Sequence, residues 1–124
     1  MVNYFIDTAN IDSIKNIWNK IKDVTDPHLL KGITTNPNAF KKIDMFKLSE
    51  WEKHLPKLCE LVSEMRGDEY GIVYVQAPVS TMSKRDIMAF AQHISQFTDG
   101  NTRLGLKLPP FKHALELEIG RAHV

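Results

Sequence analysis

The chain has 124 residues, 43% of them hydrophobic and 25% charged, the composition of an ordinary globular protein. Sixteen basic residues against fifteen acidic ones give a formal charge of +1. That balance argues against nucleic acid or an anionic membrane surface as a partner. No apolar run has the length of a membrane-spanning helix, and Met1-Val2-Asn3-Tyr4 lacks the opening of a signal peptide.

Taken in order, Val2 to Asp7 reads as a short strand ending in a carboxylate. Ile11, Ile14, Ile17, Trp18 and Ile21 recur at helical spacing behind Asn10 or Asp12 as N-cap. Asp26-Pro27 ends that helix. Leu29 to Thr35 reads as a second buried strand, closed by a turn at Asn36-Pro37-Asn38 because the residue before proline avoids helical geometry. A long helix is expected over 49–65, with Trp51, Leu55, Leu58, Leu61, Val62 and Met65 as its apolar stripe. Cys59, the only cysteine, falls on that pattern as a packing residue. One cysteine allows no internal disulfide and no thiolate cluster, and a cytoplasmic setting is the expectation.

After the turn at Arg66-Gly67-Asp68, Gly71 to Ala77 reads as a third strand, apolar on both faces. Ser83 is placed to cap a further helix with Ile87, Met88, Phe90, Ala91 and Ile94 inward. Arg103 to Leu108 reads as a fourth strand, stopped by Pro109-Pro110. Four alternations of strand and helix predict an α/β fold with parallel strands joined by right-handed crossovers.

The polar residues gather at strand ends. Asp7 ends the first, Thr34, Thr35 and Asn36 the second, Gln76 the third, and Lys107 stands near the end of the fourth. In a parallel barrel these ends open on one face, the face that carries active sites. Lys107 sits between Leu106 and Leu108. Burial disfavours the ammonium form of such a lysine and frees an amine that can attack a carbonyl; a tail reaching solvent is the plainer reading. Asp7 offers a carboxylate for proton transfer, or a cap for the helix that follows. Thr34-Thr35-Asn36-Pro37 reads equally as a strand-ending turn. The five histidines (His28, His54, His93, His113, His123) lack metal-ligand spacing, and Lys41-Lys42, Lys53, Lys57 and Lys84-Arg85 read as solvated helix faces.

Three strings fall in a telling order: Phe5-Ile6-Asp7-Thr8-Ala9-Asn10-Ile11-Asp12, Gly32-Ile33-Thr34-Thr35-Asn36-Pro37-Asn38, and Leu106-Lys107-Leu108-Pro109. Together they resemble the transaldolase family, including its small members and the fructose 6-phosphate aldolases. The likeness runs from residue 3 to about residue 117. It implies the N-terminal half, about four βα units, of a (β/α)8 TIM barrel whose full form moves a dihydroxyacetone unit between sugar phosphates through a lysine imine, as in the pentose phosphate pathway. It implies Lys107 as the Schiff-base lysine, Asp7 as acid/base, and Asn36 as the amide that positions lysine and substrate. Thr34, Thr35 and Gln76 become substrate-binding residues, with no metal and no cofactor, and a homo-oligomer is expected at full length.

Gln76 stands where transaldolases proper usually carry a glutamate acting through a water, and is closer to the fructose 6-phosphate aldolases. A glutamine orients a water but does not take its proton. A lyase of that kind is therefore an alternative, and a non-catalytic half-barrel serving binding or assembly is another. Beyond the lysine, Pro110-Phe111-Lys112-His113 departs from the family's usual Thr-x-Glu-Gly. Barrels of this type need about 250 residues, so the phosphate-binding arginine and serine implied for later strands are absent and the fragment is expected to be inactive alone. Residues 1–117 are read as one incomplete barrel domain. Ile119-Gly120-Arg121-Ala122-His123-Val124 matches a translation of common sequencing-adapter DNA, so residues 118–124 are expected to be a non-native tail.

Overall fold

The computed structural model describes residues 3–24, 26–76, 83–98 and 100–107, with the side chain of Pro27 left aside. Ala77, Leu108, the proline pair and the expected tail at 118–124 lie outside the described residues.

Strand β1 (Tyr4–Asp7) leads to helix α1 (Ile11–Ile21), whose N-cap is Asn10: its side-chain oxygen accepts the Ser13 N–H at 3.0 Å. A 3-10 turn over Pro27–Leu29 precedes β2 (Leu30–Thr34). The expected turn at Asn36-Pro37-Asn38 is instead the start of a short helix, α2 (Pro37–Lys41). The reason is local, since proline at the first helical position sacrifices no hydrogen bond and Asn36 caps the helix. Helix α3 (Leu48–Arg66) is the longest; at its start Glu50 accepts the Lys47 N–H at 3.1 Å. It ends at Gly67, whose φ of 64° is the left-handed geometry glycine tolerates. Strand β3 (Gly71–Gln76), helix α4 (Lys84–Ile94), capped by Ser83, and β4 (Thr102–Lys107) complete the set.

The four strands form one parallel sheet in the order β1-β2-β3-β4. Each is joined to its neighbour through a helical segment, as in half of a (β/α)8 barrel. The register assigns side chains to faces, because successive residues of a strand point opposite ways. Ile6, Ile33, Val73 and Leu104 lie in one row, and Val75 pairs with Leu106 in the next. This face is covered. Ile14 of α1, Leu55, Leu58 and Val62 of α3, and Phe90 and Ile94 of α4 join it in one buried cluster. Met88 and Ala91, expected inward, are only half-buried, at the flanks of the stripe made by Ile87, Phe90 and Ile94.

The opposite face carries Phe5, Gly32, Ile72 and Arg103 in one row and Asp7, Thr34, Tyr74 and Gly105 in the next. Gln76 and Lys107 pair beyond them. A Cβ on Gly105 would lie 2.7 Å from the Tyr74 ring, so the glycine is what lets that ring rest against β4. No helix is long and apolar enough to cross a membrane among the described residues.

Candidate active site

Asp7 is the last residue of β1 and exposed on the open face. Thr34 is the last residue of β2 and its registered neighbour. Their side chains meet: the Thr34 hydroxyl donates to Asp7 Oδ1 at 2.8 Å, across 27 residues of sequence. The capping role open to Asp7 falls to Asn10, which leaves the carboxylate turned toward the sheet. One oxygen is held by Thr34, so the carboxylate is oriented while the other stays available.

Gln76 and Lys107 form the next registered pair, at the ends of β3 and β4. Adjacent strands stand about 4.8 Å apart, so the two side chains leave the sheet as close neighbours on one face. Both are half-buried. Lys107 is two residues along its strand from the row of Asp7 and Thr34, a step of about 6.6 Å toward the strand ends. Its neighbours Leu106 and Leu104 turn the other way, into the core.

Thr35 lies elsewhere. It is fully buried, its N–H reaching the Tyr74 carbonyl at 2.9 Å and its hydroxyl the same oxygen at 2.7 Å. Both donors fasten the end of β2 to β3, so the Thr35 hydroxyl hydrogen is spent inside the fold. Asn36 accepts the Ala39 N–H at 2.8 Å through Oδ1, the cap of α2. Its amide nitrogen is not used by that bond. Asp7 and Asn36, with Thr8, Asn38, Ala39 and Lys42, line one polar cleft between the β1 rim and α2. Lys42, which reads in the sequence as a solvated helix residue, thus lines the same cleft as Asp7.

Tyr74 is a site-face residue that sequence reasoning missed. It stands in the row of Asp7 and Thr34, its ring tilted 58° against Phe5 with centroids 5.6 Å apart. Counting back two from Gln76 along β3 would have found it. No group of three or more potential metal ligands is present among the described residues.

These are groups of the kind that carbonyl chemistry uses. The Lys107 amine, the oriented Asp7 carboxylate and the Gln76 amide stand on one face of a sheet whose other face is packed shut, and Asn36 lines a cleft with Asp7. An amine attacks a carbonyl and a nearby carboxylate moves the protons that carbinolamine and imine formation require.

No protein-family model matches the chain. Curated proteins do. It is 38% identical over 63 residues to the "Probable transaldolase" of Prosthecochloris aestuarii, covering 48% of this chain and 25% of that protein. Over 114 residues it is 28% identical to the "Probable transaldolase" of Chlorobium phaeobacteroides, covering 84% and 44% of the two. "Probable transaldolase 2" of Bacillus cereus is 24% identical over 113 residues, 91% of this chain and 44% of its own. The chain spans less than half the length of these relatives. Sequence likeness over most of the chain and the four parallel strands together make it similar to part of these probable transaldolases.

Proposed function

We propose that this chain supplies the Schiff-base half of an aldol site acting on ketose phosphates, working as a transaldolase within a full-length protein. Lys107 Nζ adds to the substrate's C2 carbonyl, and loss of water from the carbinolamine leaves an imine. Asp7 takes the proton from the C4 hydroxyl as the C3–C4 bond breaks, releasing an aldose phosphate and leaving a dihydroxyacetone enamine on the lysine. The enamine then attacks the carbonyl of an acceptor aldose phosphate, whose new hydroxyl recovers the proton, and hydrolysis of the imine frees the product. Asn36 and Gln76 orient the lysine, the substrate hydroxyls and the water; Thr34 holds Asp7. The chemistry needs neither metal nor cofactor, and its setting is the cytoplasm, in a homo-oligomer.

The observation that carries this reading is the pairing of Thr34 with Asp7 at 2.8 Å on the face that also bears Gln76 and Lys107. The names of the curated relatives support it. Gln76 favours a second reading, in which the enamine is protonated and hydrolysed as in a fructose 6-phosphate aldolase. Glyceraldehyde 3-phosphate release from fructose 6-phosphate by the full-length protein, with and without erythrose 4-phosphate, separates the two. A transaldolase releases it at least about tenfold faster with the acceptor; equal rates mean cleavage. No release under either condition contradicts both.

A further inference from the structure

We propose that His54 is a positioning residue that holds the Asp7 rim and the Asn36-capped helix α2 in one geometry, a role that rests on the aldol reading above. His54 lies on α3, 6% exposed, and 45 residues along the chain from Ala9. Its Nε2 is 2.6 Å from the carbonyl oxygen of Ala9. A carbonyl only accepts, so Nε2 carries the hydrogen and donates it. Ala9 is itself fully buried and stands two residues after Asp7. Between them Thr8 accepts the Asn10 N–H at 3.1 Å, so the whole segment behind the carboxylate is tied down.

The same imidazole meets helix α2. Its ring stands at 80° to that of Phe40, the buried residue of α2, with centroids 6.3 Å apart. Phe40 in turn stacks on Trp51, one turn before His54 on α3, at 4.5 Å and 12°. Trp51 Nε1 donates to the Met45 carbonyl at 3.1 Å, closing the α2–α3 connection. One face of α3 thus grips the chain just after Asp7 and the helix that begins at Asn36, the two residues that line one cleft. A leucine in place of His54 would serve a hydrophobic core as well; only a donor of this length reaches Ala9. Displacements of an ångström at a reacting group cost rates up to about a hundredfold, so the hydrogen bond bears on turnover more than on binding.

The test compares His54→Gln, whose amide reaches as far as Nε2, with His54→Asn, which is too short, and His54→Leu, which has no donor. All are made in the full-length protein that contains this chain. Expected is kcat within about threefold of the parent for Gln and lower by about tenfold or more for Asn and Leu, with KM within about twofold. Amide exchange across Thr8–Asn10, which needs no substrate, should rise about tenfold in Asn and Leu and stay near the parent in Gln. If Leu does not fold, Asn carries the comparison. Unchanged exchange in Asn overturns the positioning role whatever the activity, as does a loss confined to KM or shared equally by Gln. A parent that performs no aldol chemistry but shows the exchange pattern sinks the aldol reading and leaves the clamp standing.

Discussion

The side-chain oxygen of Asn36 accepts the Ala39 N–H at 2.8 Å, which leaves the amide nitrogen as the group able to act across the cleft from Asp7. These two duties separate by substitution. Asn36→Ser keeps a capping oxygen and removes the amide; Asn36→Ala removes both. The alanine variant should lose about 1 kcal/mol of stability in a denaturant melt and the serine variant only a few tenths. Turnover in the full-length protein should fall by about tenfold or more in both. A serine variant with parent turnover would leave Asn36 as a cap alone. The local sequence does not decide such cases. Asp7 and Asn10 both read as caps for α1, and only the register of β1 against β2, which brings Thr34 to Asp7, shows which carboxyl or amide is spent on the helix. Thr35 is the converse: it stands beside Thr34 in sequence, yet strand alternation turns it into the core.

At the scale of elements, α3 has more to do than its apolar stripe suggests. At its end Arg66, buried with only 4% of its side chain exposed, donates through Nη1 to the carbonyls of His28 and Leu30 at 2.8 and 2.9 Å. Nε reaches the Tyr70 carbonyl at 3.3 Å, and Nη2 pairs with Glu69. The guanidinium thereby pins the entry to β2 and the entry to β3 to one helix end. Arg66→Ala strands three carbonyls and should destabilise the fold by about 3 kcal/mol, read by denaturant or thermal unfolding. A loss under about 1 kcal/mol would mean that water replaces the arginine at little cost. In sequence Arg66 reads as the first residue of the turn Arg66-Gly67-Asp68; instead it is the last residue of α3. The order of the four strands and of α1, α3 and α4, by contrast, is legible, because apolar periodicity and the turn residues agree with the final packing. Helix α2 was not, since Asn-Pro signals a turn and a capped helix start equally well.

Across the whole molecule, one face of the sheet is closed by helices and the other holds Asp7, Thr34, Gln76 and Lys107. The sequence placed these groups at strand ends, and topology alone then brings them to one side. The distance between the two registered pairs was not legible, since it depends on strand stagger. Strands β1 and β4 are the sheet's edges among the described residues, and the chain spans less than half the length of its curated relatives. The proposed chemistry needs its bond-making amine at Lys107, on the open face. Borohydride reduction of the full-length protein during turnover of fructose 6-phosphate, followed by peptide mass mapping, tests that assignment most directly. It predicts a reduced three-carbon adduct on Lys107 and none in Lys107→Met. An adduct on another lysine, or no adduct while the ketose is consumed, would contradict it.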